Sequence, residues 1–160
     1  MRKLIFLDID GVMNSLRSAR ANYDKAHRLQ VNVYDFFDPI AVRELNRICK
    51  RHYPDIVISS TWRRVRPYLQ DFQLLRDHFA SQGFKYPDCI IDRTPIMNVE
   101  RGHEIQAWLI NNCKGQTVKI VILDDNRDMV HLMPHLVKTN FKYGITVKLA
   151  STVIRELKEG

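Results

Sequence analysis

Leu4-Ile5-Phe6-Leu7-Asp8-Ile9-Asp10-Gly11-Val12-Met13-Asn14 is an apolar run that ends in two carboxylates and a glycine. Four consecutive apolar residues closed by a glycine turn predict a strand buried on both faces. Side chains two apart on a strand point the same way, so Asp8 and Asp10 fall together where the strand ends. In an open parallel sheet, ligands bind at the carboxyl ends of the strands. Two acids placed there repel until a cation or a shared proton relieves them. The stretch therefore predicts a magnesium-type site or a carboxylate nucleophile.

Two further strands carry the same kind of ending. Ile56-Val57-Ile58 stops at Ser59-Ser60-Thr61, and Val118-Lys119-Ile120-Val121-Ile122-Leu123 stops at Asp124-Asp125. Short strands are expected at Cys89-Ile90-Ile91, Leu136-Val137 and Ile145-Thr146-Val147. Between them, Asp38-Pro39 is a helix start with Asp as the cap and Pro at the first position. Ile40, Val42, Leu45, Ile48 and Cys49 give that helix an apolar face up to about His52. Residues 62–82 read as mostly helical, closed by Gly83. An amphipathic helix over 100–113 turns Ile105, Trp108, Leu109 and Cys113 inward, and a terminal helix starts near Ser151. Strands alternating with helices predict a mostly parallel three-layer α/β/α sheet. In such a doubly wound sheet the three polar strand ends converge on one crevice.

The chain of 160 residues fits one domain, with residues 15–37 as a flap or minimal cap inserted after the first strand. Its 45% hydrophobic and 27% charged composition is that of a soluble globular protein. No stretch has the length of a membrane span, and residues 4–7 are too few for a signal peptide. Cys49, Cys89 and Cys113 are odd in number and lack metal-ligand spacing, which predicts reduced thiols and a cytoplasmic setting. A net charge of +7 favours polyanionic partners, with nucleic acid the commonest. Tyr23, Tyr34, Phe36 and Phe37, mixed with Arg17, Arg20, Lys25 and Arg28, form the best aromatic-basic segment for gripping it. Closure of the flap over the site explains the same residues nearly as well.

Asp8-Ile9-Asp10-Gly11-Val12-Met13, Ile56-Val57-Ile58-Ser59-Ser60 and Ile122-Leu123-Asp124-Asp125 resemble, in order, motifs of the haloacid dehalogenase (HAD) superfamily of phosphotransferases. Met13 departs mildly from the last apolar position of the first motif. The likeness narrows with Ser60-Thr61-Trp62-Arg63, Arg101-Gly102-His103-Glu104-Ile105, Trp108-Leu109 and Gly144-Ile145-Thr146. These resemble the HAD domains associated with RNA repair proteins and, more distantly, the phosphatase half of phage polynucleotide kinase–phosphatase.

The resemblance implies a Rossmann-like HAD fold and a role for each residue. Asp8 would be the nucleophile that forms an aspartyl-phosphate, and Asp10 the general acid and then base. Mg²⁺ would be held by Asp8, the Asp10 carbonyl and the Asp124/Asp125 pair, with Asp125 the first choice as direct ligand and Asp128 a candidate helper. Ser60, or Ser59 if the strand end slips by one, would present its hydroxyl to the phosphate, with Gly11 and Thr61 beside it. The superfamily's third motif is a Lys or Arg; no lysine stands in the expected place, and Arg101 is the candidate. Arg63 would bind another part of the substrate phosphate. His103 reads as surface or packing, and Trp62 and Trp108 as core.

There is no room for a large cap domain between the first two strands, and residues 63–96 are likewise short for one. An open crevice suits a bulky substrate, so the expected activity is a Mg²⁺-dependent phosphomonoesterase acting on a phosphorylated nucleic-acid end, a 3′-phosphate above all. The chain lacks a phosphate-binding kinase loop, so a kinase or ligase partner would act in trans. A nucleotide or other small-molecule phosphatase is the nearest alternative. A catalytically silent nucleic-acid-binding module is a further one, disfavoured because uncompensated buried acids weaken polyanion binding. A signalling receiver domain places its adjacent acid pair on the first strand, whereas here that pair comes last.

Overall fold

In the computed structural model, which describes residues 1–65 and 71–158, five strands form one parallel sheet. They are β1 (Arg2–Leu7), β2 (Asp55–Ile58), β3 (Ile90–Arg93), β4 (Val118–Asp124) and β5 (Leu136–Lys138), arranged β3-β2-β1-β4-β5. The central strand β1 is in register with both neighbours, Leu7 level with Ile58 on one side and with Leu123 on the other. The residues that follow therefore emerge at one height: Asp8, then Ser59 and Ser60, then Asp124 and Asp125.

Alternation along β1 builds two cores. Ile5 and Leu7 face α2 (Pro39–His52), α4 (Phe72–Ser81) and α6 (Val147–Glu156), where Leu45, Ile48, Phe79 and Val153 are buried. Leu4 and Phe6 face α5 (Arg101–Asn112) and the 3₁₀ segment Val130–His135, with Ile105, Trp108 and Leu132. Near-continuous apolar strands are what burial on both faces requires.

Asp38 caps α2 with Pro39 at its first position, the Asp38 carboxylate accepting the Ile40 N–H at 2.9 Å. The 15–37 insertion contains a fourteen-residue helix, α1 (Leu16–Leu29), and a 3₁₀ turn (Val33–Asp35). A reciprocal Ser15–Ser18 capping box starts α1. Within 62–82 lie α3 (Trp62–Val65) and α4; residues 66–70 of that expected helix lie outside the described residues. Cys89 ends a 3₁₀ turn (Pro87–Cys89) rather than beginning β3.

The strand expected at Ile145-Thr146-Val147 does not form. Gly144 turns the chain at φ 64°, Thr146 accepts the Leu149 N–H at 3.3 Å, and α6 begins at Val147, four residues ahead of Ser151. A threonine between β-branched residues is here a helix cap, and a cap fixes the backbone of the residues after it.

Candidate active site

The end of β1 is fixed from both sides. The Asp8 N–H donates to the Leu123 carbonyl at 2.9 Å, and its buried carboxylate accepts the Ile9 N–H and the Ser60 hydroxyl. Gly11 then turns the chain at φ 75°, its N–H donating to Asn14 Oδ1 at 3.0 Å and its carbonyl accepting the Thr139 hydroxyl at 2.7 Å. Asp10 is held apart from Asp8: its Oδ1 accepts Asn14 Nδ2 at 2.7 Å and Trp62 Nε1 at 2.9 Å. Asn14 Nδ2 also reaches the Tyr34 carbonyl at 2.9 Å, tying Asp10 to the insertion.

β4 and α5 complete the cluster. Arg101 Nη1 lies 2.9 Å from Asp124 Oδ2 and 3.3 Å from Asp8 Oδ1, with only 12% of its side chain exposed. Asp124 is fully buried, and its other oxygen accepts the Asn126 N–H at 2.9 Å. Asp128 lies beneath the start of α5, its carboxylate accepting the Arg101 N–H at 3.3 Å and its carbonyl the Gly102 N–H at 2.9 Å. It thus supplies the capping that Glu100 does not. Gly102 is required there, because a Cβ would stand 2.1 Å from the Met129 carbonyl oxygen.

Of the two serines, Ser60 meets Asp8, while the Ser59 hydroxyl is buried with no hydrogen-bond partner among the described residues. Thr61 is exposed. Arg63, expected to bind another part of the substrate phosphate, is buried. Its side chain is 3% exposed and its Nη2 pairs with Glu104 at 2.7 Å. Its Nε donates to the Ser60 carbonyl at 2.6 Å, and its Nη1 bonds the Thr94 carbonyl and hydroxyl and the Pro95 carbonyl. A guanidinium that donates to buried acceptors through Nε, Nη1 and Nη2 positions Ser60. Glu104 also accepts the Met97 N–H at 2.8 Å.

Electrostatics mark the cluster. Burial raises Asp8 to about 6 against the opposing pull of Arg101, and burial with the Asp8 charge raises Asp124 to about 8. Burial also raises Asp125. Against the cost of its own burial, Arg101 is held charged by Asp8, Asp124 and Asp128. Three carboxylates thus share one cation. Oxygens of Asp8, Asp124 and Asp125 lie within 4.8 Å of one another, a hard-oxygen set that fits a divalent ion.

Trp62 is core at 1% exposed, and also a hydrogen-bond donor to Asp10. Asn14, Thr139 and Glu104 hold the site without having been singled out. Asn14 alone left a local signal, an amide four residues after Asp10. His103 is half exposed beside Glu100 and outside the cluster. Among the aromatics of the insertion, Phe37 is buried against Phe79, whereas Tyr23 is 66% exposed. No disulfide joins the cysteines, and no helix among the described residues is long and apolar enough to cross a membrane.

A parallel sheet whose central strand ends in Asp-x-Asp, beside a serine, an arginine and a second acid pair, defines a HAD-superfamily domain. A family profile described as "HAD domain in Swiss Army Knife RNA repair proteins" matches residues 4–150. The chain belongs to that family, which supports a HAD-type phosphatase and a role in RNA repair. Comparison with curated proteins and with solved structures gave no match.

Proposed function

We propose that the protein is a Mg²⁺-dependent phosphomonoesterase that removes a terminal phosphate, a 3′-phosphate above all, from nucleic acid through an aspartyl-phosphate. The observation that carries this reading is the separation of two carboxylates two residues apart. Asp8 lies with Arg101 and the late acids, while Asp10 is held by Trp62 and Asn14 outside that ion-pair cluster.

The chemistry follows from that division. An Asp8 oxygen attacks phosphorus, and the bond to the leaving alkoxide breaks as Asp10 gives that oxygen its proton. Both hydrogen bonds to Asp10 fall on Oδ1, leaving Oδ2 for the proton. Asp10, now a base, takes a proton from water; the water oxygen attacks phosphorus and the Asp8–phosphate bond breaks, releasing phosphate. Arg101 and the Ser60 hydroxyl neutralise the phosphoryl oxygens. Asp8, the Asp10 carbonyl, Asp125 and Asp124 would hold the Mg²⁺, which supplies charge neutralisation when bound. Residues 15–37 act as a minimal cap within one domain, so the crevice admits a polymer end.

Phosphate release from a 3′-phosphorylated oligonucleotide is expected to exceed release from mononucleotides and to vanish in Asp8→Asn. Equal or better turnover of mononucleotides defeats the nucleic-acid-end reading in favour of a nucleotide phosphatase, and unchanged release in Asp8→Asn defeats the covalent mechanism.

A further inference from the structure

We infer that the cleft between α1 and the 3₁₀ turn Val33–Asp35 holds the nucleobase of the nucleotide bearing the scissile phosphate, an assignment that rests on the phosphatase reading above. The cleft has a volume of about 530 Å³, within the range of small-ligand sites. Aliphatic Leu16 and Val33 and the aromatic Tyr23 and Tyr34 line it, with Arg20 and Asp24 adding one charge of each sign. Aliphatic and aromatic walls with a few polar groups suit an aromatic base, and every base has a face to stack.

Its position relative to the chemistry is fixed by covalent and hydrogen-bonded links. Leu16 follows two residues after Asn14, and the Asn14 amide bonds Asp10 at 2.7 Å and the Tyr34 carbonyl at 2.9 Å. One amide nitrogen therefore separates the cleft's own turn from the proton-transfer residue. A phosphate at Asp8 and Asp10 would leave its nucleoside on the α1 side. The cavity beside Arg63, Asp92 and Trp108 lacks these properties, since Trp108 is already packed on Phe6 and bonded to Asp92.

The surface continues past the cleft on a second segment, one the sequence does not join to the first. The Tyr34 ring lies 5.8 Å from Phe141, which is 41% exposed. Next to it, Tyr143 carries Arg17 at 5.7 Å and Lys142 at 5.3 Å over its ring. Thr139 anchors this segment to the Gly11 carbonyl at 2.7 Å. Exposed aromatics interleaved with cations are a surface for single-stranded nucleic acid, and they offset the repulsion that the acid cluster exerts on a polyanion.

The test is equilibrium binding in EDTA, read by fluorescence anisotropy, of two short single strands ending in the same 3′-phosphate. One ends in a complete nucleotide and the other in an abasic residue. The wild-type protein should bind the complete strand roughly tenfold more tightly, the worth of one stacked base. Tyr23→Ala should bind both strands alike at the weaker level. Equal affinity of the wild-type protein for the two strands overturns the inference, whether or not the variant folds. So does a Tyr23→Ala protein that keeps the full preference, or a phosphopeptide that binds as tightly as the complete strand. Hydrolysis of p-nitrophenyl phosphate by the wild-type protein, measured beside it, tests the phosphatase reading on its own. A base preference without hydrolysis removes that reading and leaves a base-binding cleft; hydrolysis without a base preference removes the cleft alone.

Discussion

Gly11 stands where a Cβ would lie 2.4 Å from Asp125 Oδ2, at a backbone φ of 75°. An L side chain at such a φ costs about 1–2 kcal/mol before any clash, and the side chain displaced here is a metal-ligand candidate. Gly11→Ala should therefore lower stability in urea by about that amount and weaken divalent binding in a calorimetric titration. Stability loss without any change in ion affinity would place Asp125 outside the metal site. Trp62 serves a different end, since its indole N–H fixes the orientation of Asp10 from inside the core. Trp62→Phe keeps most of the ring volume and deletes that donor. A hydrogen bond to a charged group is worth about 1.5–3 kcal/mol, so kcat should fall roughly ten- to a hundredfold while KM changes little. A fall confined to KM would mean that Trp62 supports substrate binding rather than proton transfer.

The helix α5 delivers Arg101 to the acids at its first turn and Glu104 to Arg63 one turn later. A single helix thus sets the cation of the site and, through Arg63, the carbonyl of Ser60. Glu104→Gln leaves a buried guanidinium without its counter-charge, a change that costs about 3–5 kcal/mol. Urea unfolding should show that loss, and the surviving folded protein should be slower because Ser60 is no longer fixed. This coupling explains what the sequence could and could not disclose. Asp8, Ser60 and Asp124 were legible because apolar strands in order have known neighbours, and register then brings their ends together. Arg101 followed only from the resemblance, as the candidate for the superfamily's third motif. The ion pair of Arg63 was not legible, because its partner is a glutamate 41 residues on, and pairing at that separation leaves no local pattern. The strand expected at Ile145-Thr146-Val147 failed for the opposite reason, β propensity being overridden by a threonine that caps α6. The Tyr34–Phe141 contact likewise joins two segments that only the packed chain brings together.

For the whole molecule, an excess of seven positive charges accompanies a buried pocket of acids with which Arg101 is paired. Its consequence is a dependence of stability on pH opposite to that of salt-bridged surface carboxylates. Asp8 and Asp124 bind protons up to about pH 6 and about pH 8 in the folded protein. In the unfolded chain both titrate near pH 3.9, about the ordinary aspartate value. Between these limits the folded state holds more protons, so the contribution of these groups to stability falls as pH rises. It is largest below about pH 4 and exhausted above about pH 8, where both carboxylates are charged and buried together. A divalent cation binds the charged forms and must displace any protons present, so its stabilising effect runs the other way. Thermal melts in EDTA should show Tm declining from about pH 5 to about pH 8, and Mg²⁺ should add little at the lower value and several degrees at the higher. Asp124→Asn, which removes the charge that titrates highest, should flatten the EDTA profile and shrink the Mg²⁺ increment together. A Tm that rises with pH in EDTA, or an increment untouched in Asp124→Asn, would show that the strain among these acids is relieved by something other than the cation.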